Sequence, residues 1–285
     1  MLLKNDCRKK GIKAIVATDF DGTLLQSDHT VSKRSRDTLT RLGRMNILRV
    51  IATGRSLYSL NKVLKEDLPI DYLIVASGAG IYCRESMHLI YNTNLSQTDT
   101  EFIGNKLIDL GCDFMIHHPL PDNHKFLFHH KNNNNQDYQQ RFDIYKEHAN
   151  PLNNYSELSE GCSQFLIIDL PDGRMHEKVS DILDRYTVIK TTSPLDHMSS
   201  WIEIFPPETD KGKTLKILTE NYNLGPEDVL SIGNDFNDVH MLRWAKQSRV
   251  VSNAHSDLKS EFRTVSSNDE DGFSAAVEEW LRERD

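Results

Sequence analysis

Short apolar segments alternate with longer amphipathic segments along the first part of the chain. Residues 12–18, 47–52 and 72–76 are rich in β-branched and other apolar residues, a pattern typical of buried strands. Between the first two lies a segment with apolar residues at helical spacing, which begins after Ser32, a residue favoured as a helix N-cap. Strands separated by helices need crossover connections, so this part of the chain predicts a parallel α/β sheet.

The pattern changes after Tyr82, where shorter predicted strands and helices follow in mixed order. One of these helices is predicted to begin at Thr98, with a capping box to Glu101. Strands and helices alternate again from the apolar segment 201–205, which we assign to the first sheet. We therefore predict an α/β protein with a discontinuous core domain and an inserted smaller α/β domain, covering residues 1–82 with 193–285 and residues 83–192 respectively.

Two acidic residues leave the end of the first predicted strand on the same side. Asp19 and Asp21 are two positions apart, and Phe20 between them points the other way. The carboxyl ends of parallel strands are where ligands bind in open α/β sheets. A carboxylate pair at this edge can attack an electrophile, exchange protons and hold a hard cation, so the sequence predicts a functional site here.

Three further motifs follow in order, each after a predicted strand or at the start of a predicted helix. They are Thr53-Gly54-Arg55, Asp210-Lys211-Gly212 and the segment Gly233-Asn234-Asp235-Phe236-Asn237-Asp238. With these motifs the sequence resembles the haloacid dehalogenase superfamily, specifically its Cof-like phosphatase branch with a type IIB cap. The resemblance implies a Rossmann-like core, with a parallel sheet flanked by helices, and a mobile cap that sets substrate specificity.

The resemblance implies a phosphoryl-transfer role for the first acidic pair. Asp19 would be the nucleophile that forms an aspartyl-phosphate, and Asp21 would protonate the leaving oxygen and then deprotonate the attacking water. A carboxylate and a phosphate dianion repel each other, so a cation is needed between them, and Mg²⁺ suits oxygen ligands. The implied ligands are the side chain of Asp19 and the backbone carbonyl of Asp21.

The other motifs supply the expected phosphate contacts. Thr53 offers a hydroxyl, and Lys211 offers a fixed positive charge near Asp19 and the transferring phosphate. Arg55 could clamp a substrate anion or pair with an acidic side chain, and the sequence leaves both readings open. The remaining predicted phosphate or substrate contacts are Phe20, Gly54 and Asn237.

The last motif departs from the family pattern at one position. Asn234 stands where members of the family have an aspartate metal ligand, and Asp235 follows it. Either Asn234 coordinates the metal through its carbonyl oxygen while Asp235 assists through water, or the loop shifts and Asp235 coordinates it directly. We favour Asp235 as the source of the charge. Asp238 would orient Lys211 or a metal-bound water.

Composition narrows the class of protein. The net charge of −8 argues against a nucleic-acid partner, which would favour a basic surface. No apolar segment approaches the roughly 20 residues that cross a bilayer, and the first ten residues lack a signal-peptide pattern. The four cysteines have no CxxC spacing and predict free thiols in a reducing compartment. We therefore expect a cytoplasmic protein without a membrane partner.

Histidines are frequent in the predicted insert, where His117-His118 and His129-His130 form adjacent pairs. Neighbouring side chains on a strand point to opposite faces, so these pairs do not predict a zinc site. We expect the histidines to be solvated or to face a substrate.

The sequence favours a Mg²⁺-dependent phosphatase that acts on a small phosphorylated metabolite resembling a sugar phosphate. One alternative is a phosphotransferase or mutase of the phosphomannomutase kind, which needs a second phosphate site on the cap. The arginines between residues 83 and 192 are dispersed, which weighs against that alternative. A second alternative is a non-catalytic sensor of a phosphorylated ligand. Oligomeric state is not predicted.

Overall fold

A computed structural model of the protein describes residues 8–64, 66–131, 135–171 and 173–284. Over these residues the chain divides into two units. The larger unit contains the described residues up to Asn92 and from Asp210 onward, and the smaller unit spans Thr93–Thr209. Each unit has its own sheet and its own hydrophobic core.

The strands of the described residues are numbered in chain order. The first five are β1 (Ala14–Thr18), β2 (Ile47–Ala52), β3 (Tyr72–Val75), β4 (Gly80–Cys83) and β5 (Leu89–Asn92). The next six are β6 (Phe114–His117), β7 (Phe126–His129), β8 (Ala149–Pro151), β9 (Gln164–Asp169), β10 (Thr187–Thr192) and β11 (Ser200–Phe205). The last three are β12 (Val229–Gly233), β13 (Gln247–Val251) and β14 (Thr264–Val265).

The helices of the described residues are numbered in the same way. Those before residue 185 are α1 (Lys33–Arg44), α2 (Leu57–Leu60), α3 (Gln97–Asp109), α4 (Gln136–Ile144) and α5 (Met175–Ile182). Those after it are α6 (Lys211–Asn221), α7 (Val239–Trp244), α8 (Ser256–Glu261) and α9 (Gly272–Arg284). Within these described residues no helix has both the length and the apolar character needed to cross a membrane.

The sheet of the larger unit has the strand order β14-β13-β12-β1-β2-β3-β4-β5. From β14 to β3 neighbouring strands are parallel, and β4 and β5 add an antiparallel edge. Every residue of β1 is buried, which explains its continuous apolar character. The α/β fold with a parallel sheet flanked by helices is confirmed, and so is Ser32 as the N-cap of α1, where its side chain accepts from the Ser35 amide.

The sheet of the smaller unit has the order β10-β11-β9-β6-β7-β8. Apart from the parallel β7–β8 pair, its neighbouring strands are antiparallel. One face carries the core formed by Phe114, Phe165 and Ile202 with their neighbours. The other face packs against aromatic residues of α4, including Tyr138 and Phe142.

Two predicted segments lie in different sheets from those expected. The sequence assigned 201–205 to the core domain, but β11 pairs with β9 and β10 of the smaller sheet. The residues of β5 were assigned to the insert, but β5 pairs with β4 and extends the larger sheet. The physical reason is that period and composition identify a strand, whereas the partner strand is chosen by long-range packing.

Two side-chain expectations also need correction. Cys112 and Cys162 are free thiols, as expected, but Cys83 is disulfide-bonded. His117 is neither solvated nor exposed: it is buried at the end of β6, and its Nδ1 lies 2.8 Å from the carbonyl oxygen of Asn123. Burial lowers the pKa of His117 to about 3, so its imidazole is neutral.

Candidate active site

The four sequence motifs meet in the larger unit because their strands are neighbours. Strands β12, β1 and β2 are adjacent and parallel, so the segments that follow them leave the same edge of the sheet. Asp19 follows β1, Thr53 follows β2, and Asn234 follows β12. Lys211 is the first residue of α6, whose N-cap Asp210 accepts from the Lys213 amide. Sequence order and sheet order together bring these residues to one place.

A buried lysine connects two of the predicted acidic residues. The Lys211 ammonium donates to Asp19 Oδ1 and to Asp238 Oδ1, each at 2.7 Å, and to Asn237 Oδ1 at 3.3 Å. Lys211 and Asp238 are fully buried, and Asp19 is 6% exposed. The predicted proximity of Lys211 to Asp19 is thus present in the structure, and Asp238 orients the lysine from the other side.

The charges of this group do not balance. Lys211 places one positive charge between two buried carboxylates, which leaves one negative charge uncompensated. Burial raises the pKa of Asp19 to about 8; the Asp238 and Asp21 carboxylates add to the rise, while Lys211 opposes it. Burial alone would lower the pKa of Lys211, but Asp19 and Asp238 outweigh it and hold that pKa above its ordinary value. An additional cation beside Asp19 would keep this carboxylate ionised.

Asp238 also organises the loop that follows β12. Its Oδ2 accepts from the backbone amides of Asn234, at 2.9 Å, and Asp235, at 3.1 Å. The close approach explains Gly233, since a Cβ at that position would lie 2.6 Å from Asp238 Oδ2. One carboxylate therefore fixes both the lysine and the loop that carries Asn234.

Arg55 pairs with the second residue of the acidic motif. Its Nε and Nη2 donate to the two carboxylate oxygens of Asp21, each at 2.7 Å. This two-bond geometry fixes the direction of the Asp21 side chain. Of the two readings left open for Arg55, the structure contains the pairing with an acidic side chain, and that side chain is Asp21 itself.

The predicted phosphate-contact residues lie around the same strand ends. Thr53 is buried, and its hydroxyl accepts from the Arg55 amide at 3.1 Å, which leaves the hydroxyl proton available to a ligand. A Cβ on Gly54 would lie 3.5 Å from the Asn237 side chain, so Gly54 and Asn237 are neighbours. The Phe20 side chain is fully buried, which leaves only its backbone for a ligand.

The amide of Asn234 ends beside the first acidic motif. One terminal position of this amide lies 3.3 Å from Asp19 Oδ2, 3.3 Å from the Asp21 carbonyl oxygen and 3.1 Å from Thr23 Oγ1. One carboxylate oxygen of Asp235, Oδ1, accepts from the Phe236 amide of its own loop at 2.7 Å. The structure thus brings Asn234, the departure from the family pattern, next to both implied metal ligands.

These groups provide oxygen ligands for a hard cation. Asp19 offers a carboxylate oxygen, Asp21 a backbone carbonyl and Asn234 an amide oxygen, a donor set that Mg²⁺ accepts. Over the described residues no group of three or more His, Cys, Asp or Glu side chains could hold a metal, so the set depends on a carbonyl and an amide. The residues fit Mg²⁺ with a single anionic ligand.

Two residues that hold the acidic loop were not predicted to do so. Thr23 is buried and bonds to Asn234 through its hydroxyl. The side-chain amide of Asn253 donates to the Gly22 carbonyl at 2.8 Å and accepts from the Asn268 amide at 3.0 Å. Thr23 follows the Asp-x-Asp-Gly motif directly, which is a signal for it, whereas Asn253 lies in a distant loop and its role depends on the fold.

Comparison with known proteins identifies the family. A family model of haloacid dehalogenase-like hydrolases matches residues 16–277. The chain therefore belongs to the haloacid dehalogenase superfamily, in its Cof-like branch, and the resemblance seen in the sequence is confirmed.

Relatives of known sequence and structure extend over nearly the whole chain. The 5-amino-6-(5-phospho-D-ribitylamino)uracil phosphatase YwtE of Bacillus subtilis (strain 168) is 27% identical and aligns with 93% of this chain and 97% of its own. Phosphatase YwpJ of the same organism is 26% identical, with 94% and 99% covered. Among solved structures, the phosphatase BT1666 from Bacteroides thetaiotaomicron has a TM-score of 0.76 at 21% identity, with 97% and 98% covered. That structural similarity shows the fold.

Proposed function

We propose that the protein is a Mg²⁺-dependent phosphatase that hydrolyses small phosphorylated metabolites through an aspartyl-phosphate. The observation that carries the proposal is the buried Lys211, which binds Asp19 and Asp238 at the carboxyl edge of the sheet. A buried carboxylate beside a fixed ammonium, hydroxyl and amide groups is suited to attack phosphorus and to stabilise the phosphoryl oxygens.

In the first step, an oxygen of Asp19 forms a bond to phosphorus while the bond from phosphorus to the leaving oxygen breaks. Asp21 gives a proton to that oxygen, which leaves as the alcohol. Lys211, Thr53 and the backbone amide of Gly54 stabilise the charge on the phosphoryl oxygens. Bound Mg²⁺ would be held by Asp19, Asp21 and Asn234 and would supply positive charge that lets two anions approach.

In the second step, Asp21 takes a proton from water as the water oxygen attacks phosphorus. The bond between phosphorus and Asp19 breaks, which releases inorganic phosphate and restores the carboxylate. Asp21 has to exchange protons with the substrate and with water, but both of its carboxylate oxygens are bonded to Arg55. Arg55 therefore has to loosen its hold on Asp21 during the cycle, which an anionic substrate group could bring about by binding the guanidinium.

The substrate class follows from the proposal and from the relatives. Two Bacillus subtilis relatives, 27% and 23% identical, carry the name 5-amino-6-(5-phospho-D-ribitylamino)uracil phosphatase. That compound has its phosphate on a sugar-alcohol chain, so we propose a phosphate monoester of a sugar or polyol as the substrate. The smaller unit would serve as the cap that selects it.

The arginines of the smaller unit favour hydrolysis over phosphate transfer between two positions of one substrate. Arg141 is buried, with its guanidinium 3.8 Å from the ring centre of Tyr145. Arg185 pairs with Asp99 at 2.8 Å. These two arginines are engaged with different partners, which weighs against a second phosphate site shared between them.

Small phosphate esters are intracellular compounds, so we also propose a cytoplasmic location, which cell fractionation can check. The disulfide at Cys83 is the observation against it.

The test is phosphate release from p-nitrophenyl phosphate and a panel of sugar and polyol phosphates, in Mg²⁺ or in EDTA. We expect release that needs Mg²⁺ and that falls about 10⁴-fold or more in Asp19→Asn. The matched control is Asp37→Asn, the same change at an exposed position, which should retain wild-type rates. Absence of release from every compound, or undiminished release by Asp19→Asn, would refute the proposal; phosphate moved within a substrate instead of released would indicate a mutase.

A further inference from the structure

The terminal amide of Asn234 lies among three oxygens at the candidate metal site, and the hydrogen bonds it can form differ between its two ends. With its oxygen toward the acidic loop, it accepts from Thr23 Oγ1 at 3.1 Å and meets two further oxygens, Asp19 Oδ2 and the Asp21 carbonyl. With its NH₂ group in the same position, it donates to both of these oxygens at 3.3 Å. The first orientation suits a cation that is bound between these oxygens. In the second orientation, the NH₂ group bridges the two oxygens in the absence of a cation.

The surroundings hold the Asn234 side chain and its backbone in place. Gly22 has φ +69°, and a Cβ there would lie 2.8 Å from the second terminal atom of the Asn234 amide. The Gly22 carbonyl is held by Asn253, and the Asn234 backbone amide is held by Asp238. A half turn of the terminal amide group therefore exchanges its nitrogen and oxygen without moving the loop.

A carboxylate at this position could serve only one of the two states. It would be a stronger cation ligand than an amide, because it adds a negative charge. Without a cation it would face the oxygens of Asp19 and Asp21 with no proton to donate, and this arrangement is repulsive.

Building on the Mg²⁺ site of the proposed function, we propose that Asn234 is a reversible latch. Its NH₂ group holds Asp19 and the Asp21 carbonyl together when no cation is bound, and its oxygen becomes a ligand when Mg²⁺ binds. The site then stays assembled without metal, and its affinity for Mg²⁺ is lower than a carboxylate would give. Asp235 is not a direct ligand in this proposal.

The test compares wild type with Asn234→Asp and Asp235→Asn by thermal unfolding in EDTA and by calorimetric titration with Mg²⁺, all without substrate. We expect Asn234→Asp to unfold about 5 °C lower in EDTA, and to bind Mg²⁺ about tenfold more tightly or better. Asp235→Asn should bind Mg²⁺ as wild type does, since an asparagine can still accept from the Phe236 amide. Asn61→Asp adds the same charge at an exposed position and should change neither quantity.

A second measurement uses the wild-type protein and does not depend on a charged variant folding. The side-chain NH₂ signals of Asn234, assigned by their loss in Asn234→Ser, should shift when Mg²⁺ binds and exchange faster with solvent. Unchanged signals at saturating Mg²⁺ would overturn the latch. Weaker Mg²⁺ binding by Asp235→Asn together with unchanged binding by Asn234→Asp would also overturn it and would identify Asp235 as the ligand. Because neither measurement involves substrate, both hold whether or not phosphate release is found.

Discussion

At the scale of single residues, the site is governed by how one lysine is shared between two acids. Asp238 accepts from Lys211 with one oxygen and from two backbone amides with the other, so both of its oxygens act as acceptors. An asparagine cannot reproduce this arrangement, since its NH₂ group would face either the ammonium or the amides. Asp238 is therefore a positioning residue for Lys211 and for the loop of Asn234.

We expect Asp238→Asn to lower the free energy of unfolding by about 3–5 kcal/mol, because it breaks a fully buried ion pair. The kcat of phosphate release should fall about 10²-fold with a smaller change in KM, since Lys211 loses its orientation toward the transition state. Urea unfolding and phosphate release measure the two effects. Asp257→Asn, at an exposed acid, should stay within about 0.5 kcal/mol of wild type; equal stability of both variants would refute the argument.

The sequence predicted which residues would meet, but it could not predict their detailed contacts. Asp19, Thr53 and Lys211 were found because strand ends and helix starts are readable from periodicity. The competition between Asn234 and Asp235 was not resolved by the sequence, because it depends on the short 3₁₀ turn Phe236–Asp238, which Asp235 caps. Likewise, the partner of Arg55 depends on where the β1 and β2 loops lie in space.

At the scale of elements, α3 shows how a helix start can be misplaced by a short distance. The sequence predicted a start at Thr98 with a capping box to Glu101, but the helix begins at Gln97 after the N-cap Ser96. Ser96 accepts from the Asp99 amide at 3.1 Å and donates to the Asp99 carboxylate at 2.6 Å. Both pairs have the same spacing of hydroxyl and acid, and the structure uses the earlier one.

We expect Ser96→Ala to lower the free energy of unfolding by about 1 kcal/mol, because an N-terminal amide of α3 loses its acceptor. Thr98→Ala, the matched change at an exposed position of the first turn, should have an effect within about 0.5 kcal/mol. Urea unfolding of the full chain distinguishes the two variants. A larger loss in Thr98→Ala than in Ser96→Ala would contradict the observed cap.

Strand partners were harder to predict than strands. The segment at β11 was recognised as a strand, but it was assigned to the wrong sheet. Its residues, including Trp201 and Glu203, do not indicate which strands it pairs with. In the structure, Trp201 Nε1 donates to Asp137 and Glu203 accepts from Gln164. The two residues of each pair are far apart in the sequence. Pairings of this kind follow from the assembled sheet, and a single sequence does not contain them.

At the scale of the whole molecule, the two units differ in how acid should affect them. In the smaller unit, burial holds the pKa of His117 near 3, against an ordinary value of 6.5. In the larger unit, burial opposes ionisation of Asp71, but bonds from Arg49 and Lys9 prevail and keep its pKa below the ordinary 3.8. Between pH 6.5 and 3, His117 is protonated in the unfolded chain but not in the folded one. The corresponding difference at Asp71 begins only below about pH 3.8. Stability from His117 is therefore complete above pH 6.5 and is lost at about 1.4 kcal/mol per pH unit below it.

We therefore expect the smaller unit to unfold at a higher pH than the larger one when the protein is acidified in moderate urea. The tryptophans report on this separately, since Trp201 lies in β11 and Trp280 lies buried in α9. In protein labelled with 5-fluorotryptophan, the ¹⁹F signal of Trp201 should reach its unfolded position at a higher pH than that of Trp280. His117→Gln removes the titrating group and should move the Trp201 transition to lower pH, whereas His197→Gln, at an exposed site, should not. The prediction is wrong if both tryptophan signals change at the same pH and His117→Gln does not shift the Trp201 transition. Protonation of His117 would then not drive the acid unfolding of the smaller unit.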